Sequence, residues 1–417
     1  MKVLVVGGGG REHAIVWKLA KSPQIDELYA APGNPGIERL ATCVNIAAED
    51  IPGLAEFAKK NNIDLTVVGP EAPLVAGIVD EFKNRGLTVF GPDKAAAQIE
   101  GSKIFSKNLM KKYNIPTADY KVFEDPKDAI SYIDTAPMPI VVKADGLAAG
   151  KGVIIAPDRS TAKEAIKTMM IDKAFGKSGS RIVLEEYLEG PEVTVLAFCD
   201  GKRAVPMVSS RDHKRVFDNN KGPNTGGMGA VSPAPAYTPE IAEIVERDII
   251  QRTIDAMASE GAPFQGVLYT GLMITKNGPK VLEYNCRFGD PEAQVVIPRL
   301  KTDLVEVMQA VIDGDLTNAK IEWKSEVAVC VVIASGGYPG HYETGKIISG
   351  LDDAEKNGSI VFHAGTAEKD GKIITVGGRV LGVTALGKDV DEARKLAYES
   401  VSKIRFEGMH YRKDIGL

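Results

Sequence analysis

Val281–Glu292 reads VLEYNCRFGDPE, a short apolar β run, Val281–Asn285, that ends in a cluster of polar groups. Successive side chains of a strand alternate faces, so the pattern predicts Glu283 and Asn285 on one face and Leu282 and Tyr284 on the other. A carboxylate and an amide oxygen two residues apart suit a hard divalent cation such as Mg2+. Arg287 follows at once, a fixed cation able to grip phosphate through two parallel hydrogen bonds. Asp290 and Glu292 add acids beside a Gly-Pro-shaped turn. Oxygen ligands, a phosphate clamp and spare carboxylates together point to metal-assisted phosphoryl chemistry. Upstream, Gly266–Thr275 and Pro279–Asn285 flank Lys276-Asn277-Gly278, an Asn-Gly turn signal that predicts a hairpin delivering this stretch.

The chain around it has 417 residues, enough for about two to four domains. Its 44% hydrophobic and 26% charged residues are those of a soluble globular protein. A net charge of −5 argues against broad nucleic-acid binding, which needs a basic footprint. Four scattered cysteines, Cys43, Cys199, Cys286 and Cys330, form no Cys-x-x-Cys pair, so neither a zinc site nor a disulfide framework is indicated. No run approaches the ~20 apolar residues of a membrane span, and the cytoplasm is the expected location.

The first hundred residues alternate short β-branched runs (Val3–Val6, Leu28–Ala31, Leu65–Val68, Thr88–Phe90) with helical patterns at Glu12–Lys21, Ile51–Asn62 and Leu74–Asn84. This alternation predicts a parallel, doubly wound α/β sheet that binds ligand at the carboxyl ends of its strands. A dinucleotide fingerprint beginning at Gly7 or Gly8 would need glycine where Glu12 or His13 stands, and the second strand ends in Pro32-Gly33 instead of an acid. NAD is therefore not expected. The Gly7–Gly10 loop is either a tight turn or a phosphate cradle reinforced by Arg11.

From Lys103 the texture changes. Ile140–Ile155 reads IVVKADGLAAGKGVII, two β runs joined by a small-residue loop with Lys143 and Lys151. It is not a Walker A loop, because Gly152 stands where Ser or Thr belongs and the flanks read strand–loop–strand. A hairpin lid over phosphates fits better. Arg181–Leu188 closes in Glu185-Glu186-Tyr187-Leu188, with Glu192 beyond, groups that suit a nucleotide base and ribose. Ser209–Ala234 is a long aperiodic stretch holding Asp212, His213, Lys214 and a glycine cluster, read as an anionic-substrate loop. A final unit begins near Ser325.

In this order the motifs resemble the ATP-grasp superfamily. Within it, Arg287-Phe288-Gly289-Asp290-Pro291-Glu292 is similar to the signature of the phosphoribosylamine–glycine ligase family. Asp212-His213-Lys214-Arg215, Gly222–Gly229, Gly69–Pro73 and Lys413-Asp414-Ile415-Gly416 match it as well. The resemblance implies an N-terminal parallel α/β domain (1–102), an ATP-grasp domain (103–324) with a small lid at about 121–190, and a C-terminal α+β domain (325–417). It implies ligation of glycine to 5-phosphoribosylamine through a glycyl phosphate, with ATP as substrate and Mg2+ or Mn2+ as cofactor. Lys103, Lys143, Gly146, Gly150, Lys151 and Gly152 would hold the ATP phosphates. Glu185, Glu186, Tyr187 and Leu188 would line the adenine slot, and Glu192 would meet the ribose. Glu283 and Asn285 would bind the metal; Arg287 and Lys143 would act on the transferring group. Gly8, Gly9, Gly10, Arg11, Glu71, Asp212, Lys214, Asn224, Thr225, Gly226, Gly227, Met228 and Glu292 would receive substrate, with Asp290 on the glycine ammonium. The strand Val267–Ile274 lacks the third metal-binding acid that many superfamily members carry. Small-molecule substrates, a monomer or dimer, and transient contact with the enzyme that makes phosphoribosylamine complete the expectation.

Overall fold

The computed structural model describes residues 1–147 and 152–417. Strands β1 (Lys2–Gly7), β2 (Glu27–Pro32), β3 (Thr42–Cys43), β4 (Leu65–Val68) and β5 (Val89–Phe90) form one parallel sheet in the order β3-β2-β1-β4-β5. Val3 and Val5 pack under Ile15 and Leu19 of the helix Gly10–Leu19, while Leu4 and Val6 face Leu54, Leu74 and Phe82. The order reverses between β1 and β4, which opens a crevice at their carboxyl ends. The Gly7–Gly10 loop and Gly69-Pro70-Glu71 emerge there. The single helix read over Leu74–Asn84 is two, Glu71–Ala76 and Ile78–Asn84, broken at Gly77 with φ +103°.

The lid sheet contains β6 (Tyr120–Phe123), β7 (Ile140–Ala144), β8 (Val153–Ala156) and β9 (Ile182–Glu186), ordered β6-β9-β7-β8. Ile140, Val142, Ile182 and Leu184 bury one face together with Ala129 and Ile133 of the helix Pro126–Ile133 and Ala162 and Ile166 of the helix Arg159–Ile166. Strand alternation turns Lys143 and Glu185 to the other face. Gly150 and Lys151 lie outside the described residues.

Next come β10 (Glu192–Asp200), β11 (Ala204–Pro206), β12 (Arg211–Asp212), β13 (Arg215–Phe217), β14 (Lys221–Asn224), β15 (Gly229–Ser232), β16 (Gln265–Thr275) and β17 (Gly278–Asn285). β11-β10-β16-β17 is an antiparallel sheet with β17 at its edge. The last strands are β18 (Val327–Ser335), β19 (Ile360–His363), β20 (Thr366–Lys369), β21 (Lys372–Thr375), β22 (Arg379–Gly387) and β23 (Met409–His410). The C-terminal sheet runs β12-β15-β18-β22-β19, with β23 on β18. A boundary at residue 324 therefore divides one sheet: the long stretch 209–234 lends β12 and β15 to the C-terminal unit, and β13–β14 forms a separate hairpin between them. These strands are two to four residues long, too short for an alternating pattern to register. Among the described residues no helix is long and apolar enough to cross a membrane.

Candidate active site

The β16–β17 ladder departs from the alternation expected for it. Leu272 pairs with Val281 and Gly271 with Glu283, so Leu282 is an extra residue in a β-bulge. Val281 and Tyr284 both enter the core below, whereas Leu282 joins Ala118, Leu188 and Met273 in a small apolar patch. Leu282 and Tyr284 thus do not share a face. The bulge adds Leu282 to an apolar surface that includes Leu188.

Glu283 stands where cations converge. Its carboxyl is held at about 2 by Lys214, against the opposing effect of burial, with Lys143 and Lys103 adding to the pull. Lys214 Nζ lies 3.4 Å from Glu283 and 3.7 Å from Glu192. Lys103 donates to Gly146 O at 2.9 Å, and burial lowers its pKa. Lys143 donates to Leu282 O at 3.0 Å, tying the lid to β17. Asn285 is half-buried two residues from Glu283 on the same strand. An ionised carboxylate beside an amide, among cations that suit phosphate oxygens, is a donor set fitted to a hard divalent ion and a polyphosphate.

Glu185 commits one carboxylate oxygen to lysines and leaves the other, Oε1, buried without a partner. It is buried and bridges Lys143 at 2.9 Å and Lys107 at 3.1 Å. Burial brings Lys107 down to about 8 despite Glu185. Glu186 accepts from Lys280 and from Asp119 N, both at 3.3 Å. A groove of about 980 Å³ beside these residues is lined by Thr117, Tyr120, Glu185, Glu186 and Tyr187 among others.

Arg287 sits between two acids, Glu71 at 3.1 Å and Glu100 at 2.9 Å, and Glu100 also accepts from Cys286 N at 2.7 Å. Burial pushes Glu100 up, with Arg287 opposing. Arg11 reaches Phe288 O at 3.3 Å and Glu71 at 3.7 Å. The Gly9 N–H is taken by Glu12 at 2.7 Å, so this helix N-terminus already carries an anion and Gly9 offers no free donor. Glu12 fits because Gly7 and Gly69 lack side chains: a Cβ there would come within 2.5 and 2.2 Å of it.

Asp290 has one partner on each carboxylate oxygen and keeps 20% of its side chain exposed. Arg379 lies 3.3 Å from its carboxylate, Gln294 donates to it at 2.8 Å, and its pKa is lowered, the cations outweighing burial. The same Arg379 donates to Asp290 O at 2.8 Å and Gly226 O at 2.6 Å. Thr225 is spent on Lys214 O at 2.8 Å. Gly227, with φ +116°, lies so close to Pro291 that a Cβ would meet it at 2.4 Å. Met228 is removed from substrate contact, since its side chain is buried with Val216 and Ala334 and its N–H and C=O bond His213 and Val332. Gly8 O is taken by Asn34, Gly10 abuts Gln294, and Asn224 belongs to the β13–β14 ladder.

Asp212 and Glu292 form the remaining feature. Burial drives both carboxyls up, Asp212 well above its ordinary range with Glu292 adding to the push. Tyr269 donates to Glu292 at 2.9 Å, while Asp212 Oδ1 is buried without a partner. Such a group calls for a donor from outside the chain.

Profiles of the phosphoribosylglycinamide synthetase N domain, ATP-grasp (A) domain and C domain match residues 1–100, 101–293 and 328–417. The chain belongs to the phosphoribosylglycinamide synthetase family. Among its relatives, a phosphoribosylamine–glycine ligase of Caldanaerobacter subterraneus subsp. tengcongensis is 52% identical, over 100% of this chain and 99% of that one. One from Vibrio vulnificus is 53% identical, over 100% and 98%. The crystal structure of the phosphoribosylamine–glycine ligase of Thermotoga maritima superposes with a TM-score of 0.84 at 36% identity, covering 100% of both chains. A biotin carboxylase domain from Hydrogenobacter thermophilus, at 16% identity and TM-score 0.75 over 98% of this chain and 91% of its own, shares the fold.

In this phosphoribosylglycinamide synthetase fold, sequence reasoning missed Glu100, Lys107 and Arg379. Lys107 lies four residues after Lys103 on the helix Lys103–Lys112, a spacing that places both on one face. Glu100 and Arg379 carried no such signal, because their partners lie 187 and 89 residues away.

Proposed function

We propose that the chain joins glycine to 5-phosphoribosylamine at the expense of ATP, giving glycinamide ribonucleotide, ADP and phosphate. The observation that carries this reading is Glu283, an ionised carboxylate among Lys103, Lys143 and Lys214 at the seam between the lid and the substrate loop. The glycine carboxylate is a poor electrophile, so it first takes the γ-phosphoryl group, and the amine of phosphoribosylamine then attacks the acyl phosphate. The work of the protein is positioning and charge neutralisation, which explains a site of lysines, arginines and acids.

Lys103 and Lys143 hold phosphate oxygens, with Glu185 fixing the aim of Lys143. Leu188 and Leu282 bound the apolar slot for the base, and Glu192 meets the ribose. Glu283 and Asn285 hold Mg2+ or Mn2+. When bound, that ion neutralises charge on the transferring phosphoryl group. Arg287, steadied by Glu71 and Glu100, faces the acyl phosphate, and lid closure keeps water from it. With Asp290 committed to Arg379, the glycine ammonium goes to Asp212 and Glu292. Arg11, Asp290 and Arg379 frame the place for phosphoribosylamine. The domain reading becomes 1–102, 103–324 with a lid at about 121–190, and 325–417, the segment 211–232 completing the last sheet.

The test is phosphate release with ATP, Mg2+, glycine and phosphoribosylamine generated in situ. Release that needs both amine and amino acid is expected; release independent of glycine would overturn the reading.

A further inference from the structure

The segment Tyr411–Leu417, YRKDIGL, has no place in the chemistry above, yet it contains the largest fully buried side chain of the described residues, Arg412. All its guanidinium nitrogens are used. Nε and one terminal nitrogen bond Asp414, each at 2.7 Å, and the other reaches Arg215 O and Asn220 Oδ1, each at 3.1 Å. The neighbours act on the same hairpin. Lys413 N donates to Asp218 Oδ1 at 2.8 Å, Asn219 N donates to Asp414 Oδ2 at 2.8 Å, and His410 Nε2 pairs with Val216 O at 2.8 Å. The segment is itself held from behind, by Tyr398 on Arg412 O at 2.7 Å and by Arg394 on Lys413 O at 2.6 Å.

The hairpin gripped in this way is strained. Asn219 and Asn220 are consecutive non-glycine residues in the left-handed region, with φ +57° and +53°. Such conformations persist where the surroundings over-determine them, and here the surroundings are Arg412, Lys413 and Asp414. Both feet of the hairpin stand in the site. Lys214 immediately precedes β13, Thr225 immediately follows β14, and the two are joined by Thr225 N to Lys214 O at 2.8 Å. Arg215 O, which Arg412 holds, is one residue from the lysine whose ammonium faces Glu283.

We infer that Arg412 and Asp414 are positioning residues: a C-terminal clamp that fixes the β13–β14 hairpin and thereby aims Lys214 at Glu283. The inference rests on the proposed ligase reaction, in which Lys214 stands between the ATP side and the substrate side. A misplacement of about 1 Å at a catalytic group can cost about 100-fold in rate, so loss of the clamp acts on kcat while ATP, held by the lid, binds as before.

Two variants test it. Arg412→Lys keeps the charge but loses the planar fork. Asn220→Gly removes one acceptor of Arg412 and occupies the left-handed backbone freely, so it folds without that strain. Both are expected to lower kcat by about ten-fold or more, with KM for ATP within about two-fold of the parent chain, and to lose hydrogen-exchange protection in residues 213–225. Unchanged kcat in both, whatever their melting temperatures, would overturn the clamp, and so would unchanged exchange protection. A parent chain without glycine-dependent phosphate release would count against the ligase reading, while the exchange measurement still decides the clamp.

Discussion

Glu185→Gln isolates what the buried Lys107–Glu185–Lys143 bridge contributes. The carboxylate is 2% exposed and its two partners 3% and 8%, so little water shields them. Even with Glu185 in place, burial lowers Lys107 from 10.5 to about 8, a cost at pH 7 of roughly 3 kcal/mol at 1.36 kcal/mol per unit. Glutamine keeps the shape and an acceptor oxygen but removes the charge. Lys107 can then limit its loss by shedding its proton, which at pH 7 caps its penalty near 5 kcal/mol relative to the unfolded chain. Lys107 already bears most of that, so its own further loss stays below about 2 kcal/mol; for the bridge as a whole the usual effect of breaking a buried pair, about 3–5 kcal/mol, is expected. For a unit the size of the ATP-grasp portion this is a fall of roughly 6–20 °C in Tm.

The pH dependence follows from the same groups. Because the folded pKa of Lys107 is lowered, the unfolded chain binds more protons between about pH 8 and 10.5. Its penalty is full below pH 8 and fades as pH climbs to 10.5. At pH 10 shedding a lysine proton costs below about 1 kcal/mol, so the gap between the variant and the parent chain narrows. Thermal melts at pH 7 and pH 10, with KM for ATP at pH 7, are the assay. A Tm change under about 1 °C at pH 7, or a gap that stays constant to pH 10, would refute the bridge as described.

Glu283→Ala should cut turnover more than about 100-fold, beyond what losing a group behind a metal ligand costs; Mn2+ binding followed by electron paramagnetic resonance should weaken in parallel while the melt stays cooperative. Asp212→Asn removes a carboxyl whose ionisation burial and Glu292 both oppose, so Tm should rise by about 2–4 °C while KM for glycine climbs; a lower Tm with unchanged glycine KM would remove the ammonium assignment. Arg379→Ala should raise KM for phosphoribosylamine about ten-fold or more and leave ATP unaffected, since truncating a buried partner costs about 2–5 kcal/mol. Arg379→Lys should recover only part of this, because one ammonium lacks the fork that spans Asp290 and Gly226.

Local chemistry was legible in the sequence. The parallel N-terminal sheet followed from strand–helix alternation, and β16–β17 from an Asn-Gly turn. Glu283, Asn285 and Arg287 followed from residue types at short spacing, and the motif order carried the family. Each of these signals is written within a few residues, at the range of a strand's alternation or a turn's backbone needs. Tertiary structure decided the rest. The bulge that separates Leu282 from Tyr284 is set by pairing with β16, not by the β17 sequence. That Asp290 faces Arg379, 89 residues on, is visible only in the fold. That Glu185 bridges Lys107 and Lys143 shows only once its face of the sheet is packed against them. The upward shift of the Asp212 and Glu292 carboxyls comes from burial, which no single stretch of chain supplies. A residue's type and its near neighbours are local properties; what a buried charge faces is a property of the packed whole.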